Sequence, residues 1–272
     1  MAKALISEFI GTALLIAAGL SVVIIIFGAG SPALSVLPNP GIRRLTAGFL
    51  FGTIGALIAV SWVGKTSGAH INPAVTAGFW IMRKMNGALA SGYILAQCSG
   101  AILGAAALLI WGNMGKSIDY GATLPNPNSG VWPALGGEII TTLALFVGII
   151  IFIGHKRLSR WTPLLFPFLY AIMVYLEAPI SGTSTNPART LGPAVVSRAW
   201  HGWWIYFIGP AIGALLGVSF QRFKLFKEIE IEVAKIYHFG HDPHGIFHSG
   251  NSDLKTGRES KSDTLELRQG IG

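Results

Sequence analysis

Residues 181–190 read SGTSTNPART, and residues 67–76 read SGAHINPAVT. The two stretches stand a constant 114 positions apart, whether measured from Ser67 to Ser181, Asn72 to Asn186 or Thr76 to Thr190. A lone Asn-Pro is an ordinary turn signal. A matched pair in register is an internal repeat, and it restricts the chain to folds with two related halves. Asn is a good N-cap, and Pro suits the first helical position, where no N–H is needed. Asn72-Pro73-Ala74 and Asn186-Pro187-Ala188 therefore each predict a helix start. The apolar runs behind them, 74–82 and 188–199, are too short to cross a hydrocarbon core of ~30 Å. Short apolar segments at corresponding positions of two repeats point to a pathway at the repeat interface of a membrane protein. The alternative is a pair of capped surface helices, which needs a soluble protein around it.

Composition decides between these. The chain is 51% hydrophobic and 12% charged, with a mean hydropathy of +0.57. That charge content is about half the ~25% of soluble domains. Six runs are long enough, or nearly so, to span: 4–27, 45–64, 88–112, 135–154, 161–176 and 203–220. The fifth and sixth are short, and Trp161, Trp200, Trp203 and Trp204 beside them read as interfacial anchors. Glu8 sits inside the first run, which lacks a small-residue cleavage site, so that run reads as a retained span. The net charge of +8 is scattered over loops, not gathered on one face, which excludes a nucleic-acid footprint. Cys98 is the one cysteine, so no disulfide can form within the chain.

With the N-terminus inside, Lys3, Lys65, Arg83, Lys84, Lys156, Arg157, Arg160, Arg222, Lys224 and Lys227 face the cytoplasm. Arg43, Arg44, Lys116, Arg189 and Arg198 fall outside. The bias places both termini in the cytoplasm. Three spans per half then put the halves, about 4–112 and 133–222, in opposite orientations, an inverted repeat. Further echoes support two halves: Glu8 with Thr12 against Glu138 with Thr142, and Tyr93 with Ala101 against Tyr206 with Ala214. Small residues four apart, such as Gly48/Gly52 and Gly209/Gly213/Gly217, allow close helix approach in lipid.

Glu8 and Glu138 are acids inside spans, costly unless paired or wet. One reading is a proton relay. The other makes each a buried acceptor tying down the donors of one half-helix loop. Residues 1–222 form the channel domain and 223–272 a cytoplasmic tail. In the tail, Leu225, Phe226, Ile229, Val233 and Ile236 recur at roughly helical spacing over 224–237, the pattern of an amphipathic helix on the inner leaflet. His238, His241, His244 and His248 invite a metal reading, but Gly240, Pro243 and Gly245 break any regular ligand face, so no metal is expected. From residue 249 onward the composition reads as disordered.

These motifs, SGAHINPAVT, GTSTNPART and EFIGT in the first span, resemble the aquaporin (major intrinsic protein) family over about residues 4–222. The resemblance implies an all-α membrane protein of six tilted helices around two re-entrant half-helices that meet at the bilayer centre. It implies a homotetramer in a cell membrane, with one pore per subunit and no cofactor. Two helix N-termini meeting at mid-membrane place about half a positive charge each there. Asn72 and Asn186 can donate to a passing water oxygen and break a proton-conducting chain, while the field opposes cations. His70 is expected as an acceptor on the wall.

By the same resemblance Arg189 belongs to an outer selectivity filter, and counting back from the asparagines gives Gly52, Val174 and Thr183 as its companions. A shift of one residue replaces Gly52 by Phe51. Narrow water-selective members carry an aromatic and a His where Gly52 and Val174 stand, so the filter is expected to be wide. Thr190 and Ala194 do not resemble glycerol-conducting relatives, Tyr206 and Phe207 look water-type, and the run NPARTLGP is similar to nodulin-type members that admit metalloid acids. Glu177, three residues beyond Val174, is expected on the same helix face, in the outer vestibule near Arg189. The expectation is a passive channel for water, with room for small uncharged solutes, that excludes protons and ions. The alternatives are a glycerol or metalloid-acid channel, or a coupled transporter built on Glu8 and Glu138. No nucleophile–base constellation appears in the spans, so no enzyme is expected.

Overall fold

The structure, a computed structural model, describes residues 1–222, 229, 231, 233–243 and 245–247. Eight helices carry the architecture. They are α1 (Ala2–Phe27), α2 (Pro40–Val60), α3 (Pro73–Ile81), α4 (Gly87–Ala107), α5 (Val131–Gly154), α6 (Thr162–Ser181), α7 (Pro187–Ser197) and α8 (Ile205–Arg222). Five of the long helices have the length and hydropathy of membrane spans, and the apolar part of α8, Ile205–Phe220, is shorter. Their outward faces carry exposed Leu57, Leu95, Ile140, Phe168 and Leu216, as a lipid-facing surface requires. The chain is thus a multi-pass membrane protein, with α3 and α7 as the two half-helices.

The halves exchange their half-helices. Within each half the first and last long helices pack together, α1 on α4 and α5 on α8. Each half-helix then lies against the last helix of the other half, α7 on α4 and α3 on α8, while α2 along α6 joins the halves. Glycine makes the α2–α6 contact possible: a Cβ on Gly48 or Gly52 would run into the carbonyl oxygen of Tyr170 or Phe166.

Two expected boundaries shift. The fifth span does not stop near residue 176 but continues as α6 through Pro179 to Ser181. Glu177 and Pro179 look like span breakers in sequence. The structure absorbs the acid by burying it against a hydroxyl, described below. The tail differs more. Residues 233–243 form no helix; they are extended and turned, with Val233, Ala234, Lys235 and Ile236 all buried. The amphipathic helix expected over 224–237 is therefore not what 233–237 adopt. Their apolar side chains turn into the protein, where they bury more completely than a helix lying on lipid would allow. Residues 224–228, His244, His248 and the segment from 249 lie outside the described residues.

Candidate functional site

Each half-helix is entered through the same unusual backbone. Gly68 and Gly182 have φ of +86° and +88°, followed by Ala69 and Thr183 at +51° and +55°, then Ile71 and Thr185 at +42° and +54°. Ile and Thr are β-branched, and the left-handed region is unfavourable for them. What holds them is an acid from the first helix of the same half. Glu8 accepts from the Ser67 hydroxyl (2.6 Å), the His70 and Ile71 amides (3.0 and 2.7 Å) and Gln97 Nε2 (2.7 Å). Glu138 accepts from the Ser181 hydroxyl (2.6 Å) and the Ser184 and Thr185 amides (2.7 and 2.8 Å). Tyr93 and Tyr206 complete the match, donating to the carbonyls of Ser67 and Ser181 at 2.8 and 2.6 Å. A buried acceptor with several donors persists where a bare one would not.

Asn72 and Asn186 act twice. Each side-chain oxygen caps its own half-helix: Asn72 Oδ1 accepts from Ala74 N (2.8 Å), and Asn186 Oδ1 from Ala188 N (3.0 Å) and Arg189 N (3.3 Å). Pro73 and Pro187 then occupy the first helical position, where their missing N–H costs nothing. Each amide nitrogen crosses to the other half. Asn72 Nδ2 donates to Thr185 O and Asn186 Nδ2 to Ile71 O, both at 2.9 Å. The carbonyls they reach belong to residues forced into the left-handed conformation, so the loop strain and the junction between halves are one construction.

To one side of this junction lies a cavity of about 300 Å³, termed outer because it lies farther from the asparagines, lined by Arg189, Thr183, Val174, Arg44, Phe51 and Tyr170 among others. Arg189 is buried, and its Nη1 donates to Gly121 O at 2.6 Å. The loop that supplies Gly121 also ties Thr123 to Thr190 (2.7 Å), and Thr190 in turn meets the Ser184 hydroxyl (2.7 Å). Gly121 and Thr123 escaped the sequence reading; the turn-rich segment around them was visible but nothing in it pointed at Arg189.

Glu177 departs from expectation. It is buried, not in the vestibule, and its Oε2 accepts from the Thr183 hydroxyl at 2.5 Å. Its other oxygen packs where a Cβ on Gly137 of α5 would stand. Val174 and Ala178 line the cavity instead. Three residues on a helix turn the side chain about 60° one way and four turn it about 40° the other. Here the first of these rotations carries Glu177 onto α5.

Beneath the outer cavity lies a smaller one of about 50 Å³, lined by both asparagines, His70, Gly52, Phe166 and Ile236 among others. Two residues belong to both walls, Phe51 and Tyr170. Gly52 borders the inner cavity, but its missing side chain is filled by α6, so the bulk at this level of α2 comes from Phe51. Tyr170 was missed in sequence, although it lies one helical turn before Val174 and hence on the same face.

His70 does not serve as a free acceptor. Its Nε2 lies 2.9 Å from the Ala234 carbonyl, which can only accept, so Nε2 carries the proton. Nδ1 then accepts from Thr76 (3.1 Å), whose oxygen takes a bond from Gln97 Nε2 (2.9 Å). The tail segment that supplies Ala234 also donates from Ile236 N to Gly68 O at 3.0 Å. Lys235 Nζ donates to the Lys65 and His241 carbonyls (2.7 and 2.6 Å) and lies 4.7 Å from the centre of the Phe247 ring. Burial pushes the Lys235 ammonium down to about 8, opposed by the Asp242 carboxylate. Among the described residues no three His, Cys, Asp or Glu side chains gather as metal ligands.

Comparison with known proteins agrees with this geometry. The family model described as Major intrinsic protein matches residues 1–220. A probable aquaporin PIP2-7 of Oryza sativa subsp. japonica is 34% identical over 82% of this chain and 79% of its own length. Aquaporin AqpM of Methanothermobacter marburgensis is 33% identical over 79% and 94%. The solved structure of the aquaglyceroporin from Plasmodium falciparum superposes with a TM-score of 0.68 over 83% of this chain and 97% of that one, at 20% identity, a likeness of fold. A repeat of crossed half-helices, the family match and relatives above 30% identity agree: this chain belongs to the major intrinsic protein family and is a passive aquaporin-type channel, not an enzyme.

Proposed function

We propose that the path runs from the outer cavity past Arg189 and Thr183, through the junction of Asn72 and Asn186, to the cytoplasmic side, and that it passes water while excluding protons and cations. The observation that carries this is the crossed asparagine pair. Each Nδ2 spends one N–H on the opposite half, and its second N–H is free to hold a water oxygen. A water held so turns its hydrogens away from the junction, and the two helix N-termini oppose positive charge. Pro73, Ala74, Pro187 and Ala188 set the helix starts that aim these groups. Arg189, Thr183 and Val174 bound the outer approach, with Glu177 acting through Thr183.

Glu8 and Glu138 support the half-helix loops in this reading. Their oxygens take four and three donors respectively, all from the loops or the neighbouring helix, which suits a loop-supporting role better than the ion site of a coupled transporter. The working unit is a homotetramer in a cell membrane, with both termini cytoplasmic. Osmotic shrinkage of proteoliposomes together with an internal pH dye tests the proposal. Water flux above protein-free vesicles without a matching proton current is expected; a proton current tracking protein content would overturn it.

Passage of glycerol or a metalloid acid is the second reading. The outer cavity favours it, since Val174 carries little bulk and about 300 Å³ admits more than a file of waters. The same vesicles with inward glycerol or boric acid gradients decide between them.

A further inference from the structure

The size of the outer cavity suggests a permissive channel, but the path does not stay wide. We propose that Tyr170, paired with Phe51, sets solute size one helical turn inside the level of Val174. This rests on the reading that the two cavities form one conduction path. The rings are 5.7 Å apart, centre to centre, and tilted by 43°. Neither is free to retreat. A Cβ on Gly19 of α1 would strike the Phe51 ring, so that ring is backed by α1 at close quarters. The Tyr170 hydroxyl is bonded to Thr185 Oγ1 at 2.9 Å, and Thr185 is the residue whose carbonyl takes the Asn72 amide. Tyr170 is thus anchored to the junction itself.

The test is the ratio of glycerol to water permeability, measured in the same vesicles for the full chain and repeated with Ile236→Ser. Tyr170→Val should raise the ratio severalfold. Tyr170→Phe, which keeps the ring but loses the bond to Thr185, should raise it less. An unchanged ratio in Tyr170→Val overturns the assignment. Water flux no greater than in protein-free vesicles, for every form, overturns the underlying reading instead.

A separate observation concerns the other mouth. We infer that tail residues 233–243, together with Ile231 and Phe247, are a displaceable plug that closes the cytoplasmic end of the pore. Ile236 lines the same small cavity as Asn72 and Asn186. The segment is fixed by backbone as well as side chains: Ile236 N to Gly68 O, Ala234 O to His70, and His238 Nε2 to Val60 O at 2.9 Å. A Cβ on Gly68 would meet Ala234 and Lys235, so the tail seats directly on the turn that opens the first half-helix. Ile231, Val233 and Phe247 are buried with it. The segment occupies the one ring N–H through which His70 would otherwise meet permeating water.

Its seat differs from a permanent core. The contacts reach loop ends and the half-helix turn, and they include a buried lysine whose ammonium bonds two carbonyls and faces a ring. The test compares water permeability per reconstituted protein for the full chain, a chain ending at Arg222, and full-length Ile236→Ser, each monodisperse in detergent. The shortened chain and the Ile236 variant should be severalfold faster than the full chain. A synthetic peptide of residues 229–247 should slow the shortened chain again. Rates equal to or below the full chain in both altered forms would falsify the plug, whereas absence of water flux in every form would count against the channel reading.

Discussion

Asn72 and Asn186 are tied crosswise: each caps its own half-helix and donates its amide to the carbonyl just before the other, both at 2.9 Å. The two ties close the same junction, so they should be coupled. Asn72→Ala and Asn186→Ala should each cost ~1–2 kcal/mol through the lost cap. The double variant should depart from the sum by ~0.5 kcal/mol or more. Thermal unfolding in detergent measures this; strict additivity would mean the ties are independent.

Glu138 accepts from three donors in a loop that has three residues, Gly182, Thr183 and Thr185, at positive φ. Glu138→Ala leaves those donors buried and unpaired, a loss of ~3 kcal/mol or more. Glu138→Gln keeps one acceptor oxygen and should fall between. A melting temperature in Glu138→Ala equal to wild type would show that the loop holds itself.

Gly52 meets α6, so enlarging it changes packing before it changes the pore. Gly52→Val should lower stability by ~1–3 kcal/mol through overpacking. Size-exclusion profiles and melting curves report this directly. A stable Gly52→Val with reduced solute flux would place the residue in the pore after all.

Glu177 bonds the Thr183 hydroxyl and does not reach the outer cavity. Glu177→Gln preserves shape and one acceptor, so water flux should change little, whereas Glu177→Ala should loosen Thr183 and alter solute discrimination. Identical glycerol-to-water ratios in Glu177→Ala and wild type would remove Thr183 from the selection step.

The plug should respond to pH. Lys235 is held near 8 when docked and returns to its ordinary 10.5 when free, so the docked state binds fewer protons between those values. Docking therefore tightens as pH rises through that window and is weaker below it. His241 acts in the same direction: burial first, then the Lys65, Lys235 and His238 charges, hold it below 6.5, with Asp242 opposing. Acidification below that value adds charge the docked state disfavours. Lys65, His238, His241, Asp242 and His70 are the titratable groups around Lys235 and the segment it anchors. Water permeability of the full chain should fall from pH 6 toward pH 9 or so, while the chain ending at Arg222 stays flat; the same slope in both would assign the effect elsewhere.

Much of this was written locally. The caps at Asn72 and Asn186, the prolines behind them and the repeat of 114 positions determine where the half-helices begin. Hydropathy locates the long helices, because a span must satisfy its own backbone and bury or face lipid along its length. One of the two readings of Glu8 and Glu138 already pointed to the half-helix loops, since a buried acid needs donors and the loops had them to give. Tertiary structure decided what depends on the rotation of one helix against another. It turned Glu177 onto α5, filled the side of Gly52 with α6, and brought Phe51 against Tyr170 across that contact. It also placed Ile236, expected on a lipid-facing helix, in the wall of the small cavity beside Asn72 and Asn186. Apolar spacing in a tail says that a face must be buried, but hydrophobic burial is non-directional. Which surface receives that face is settled only when the rest of the chain has built one.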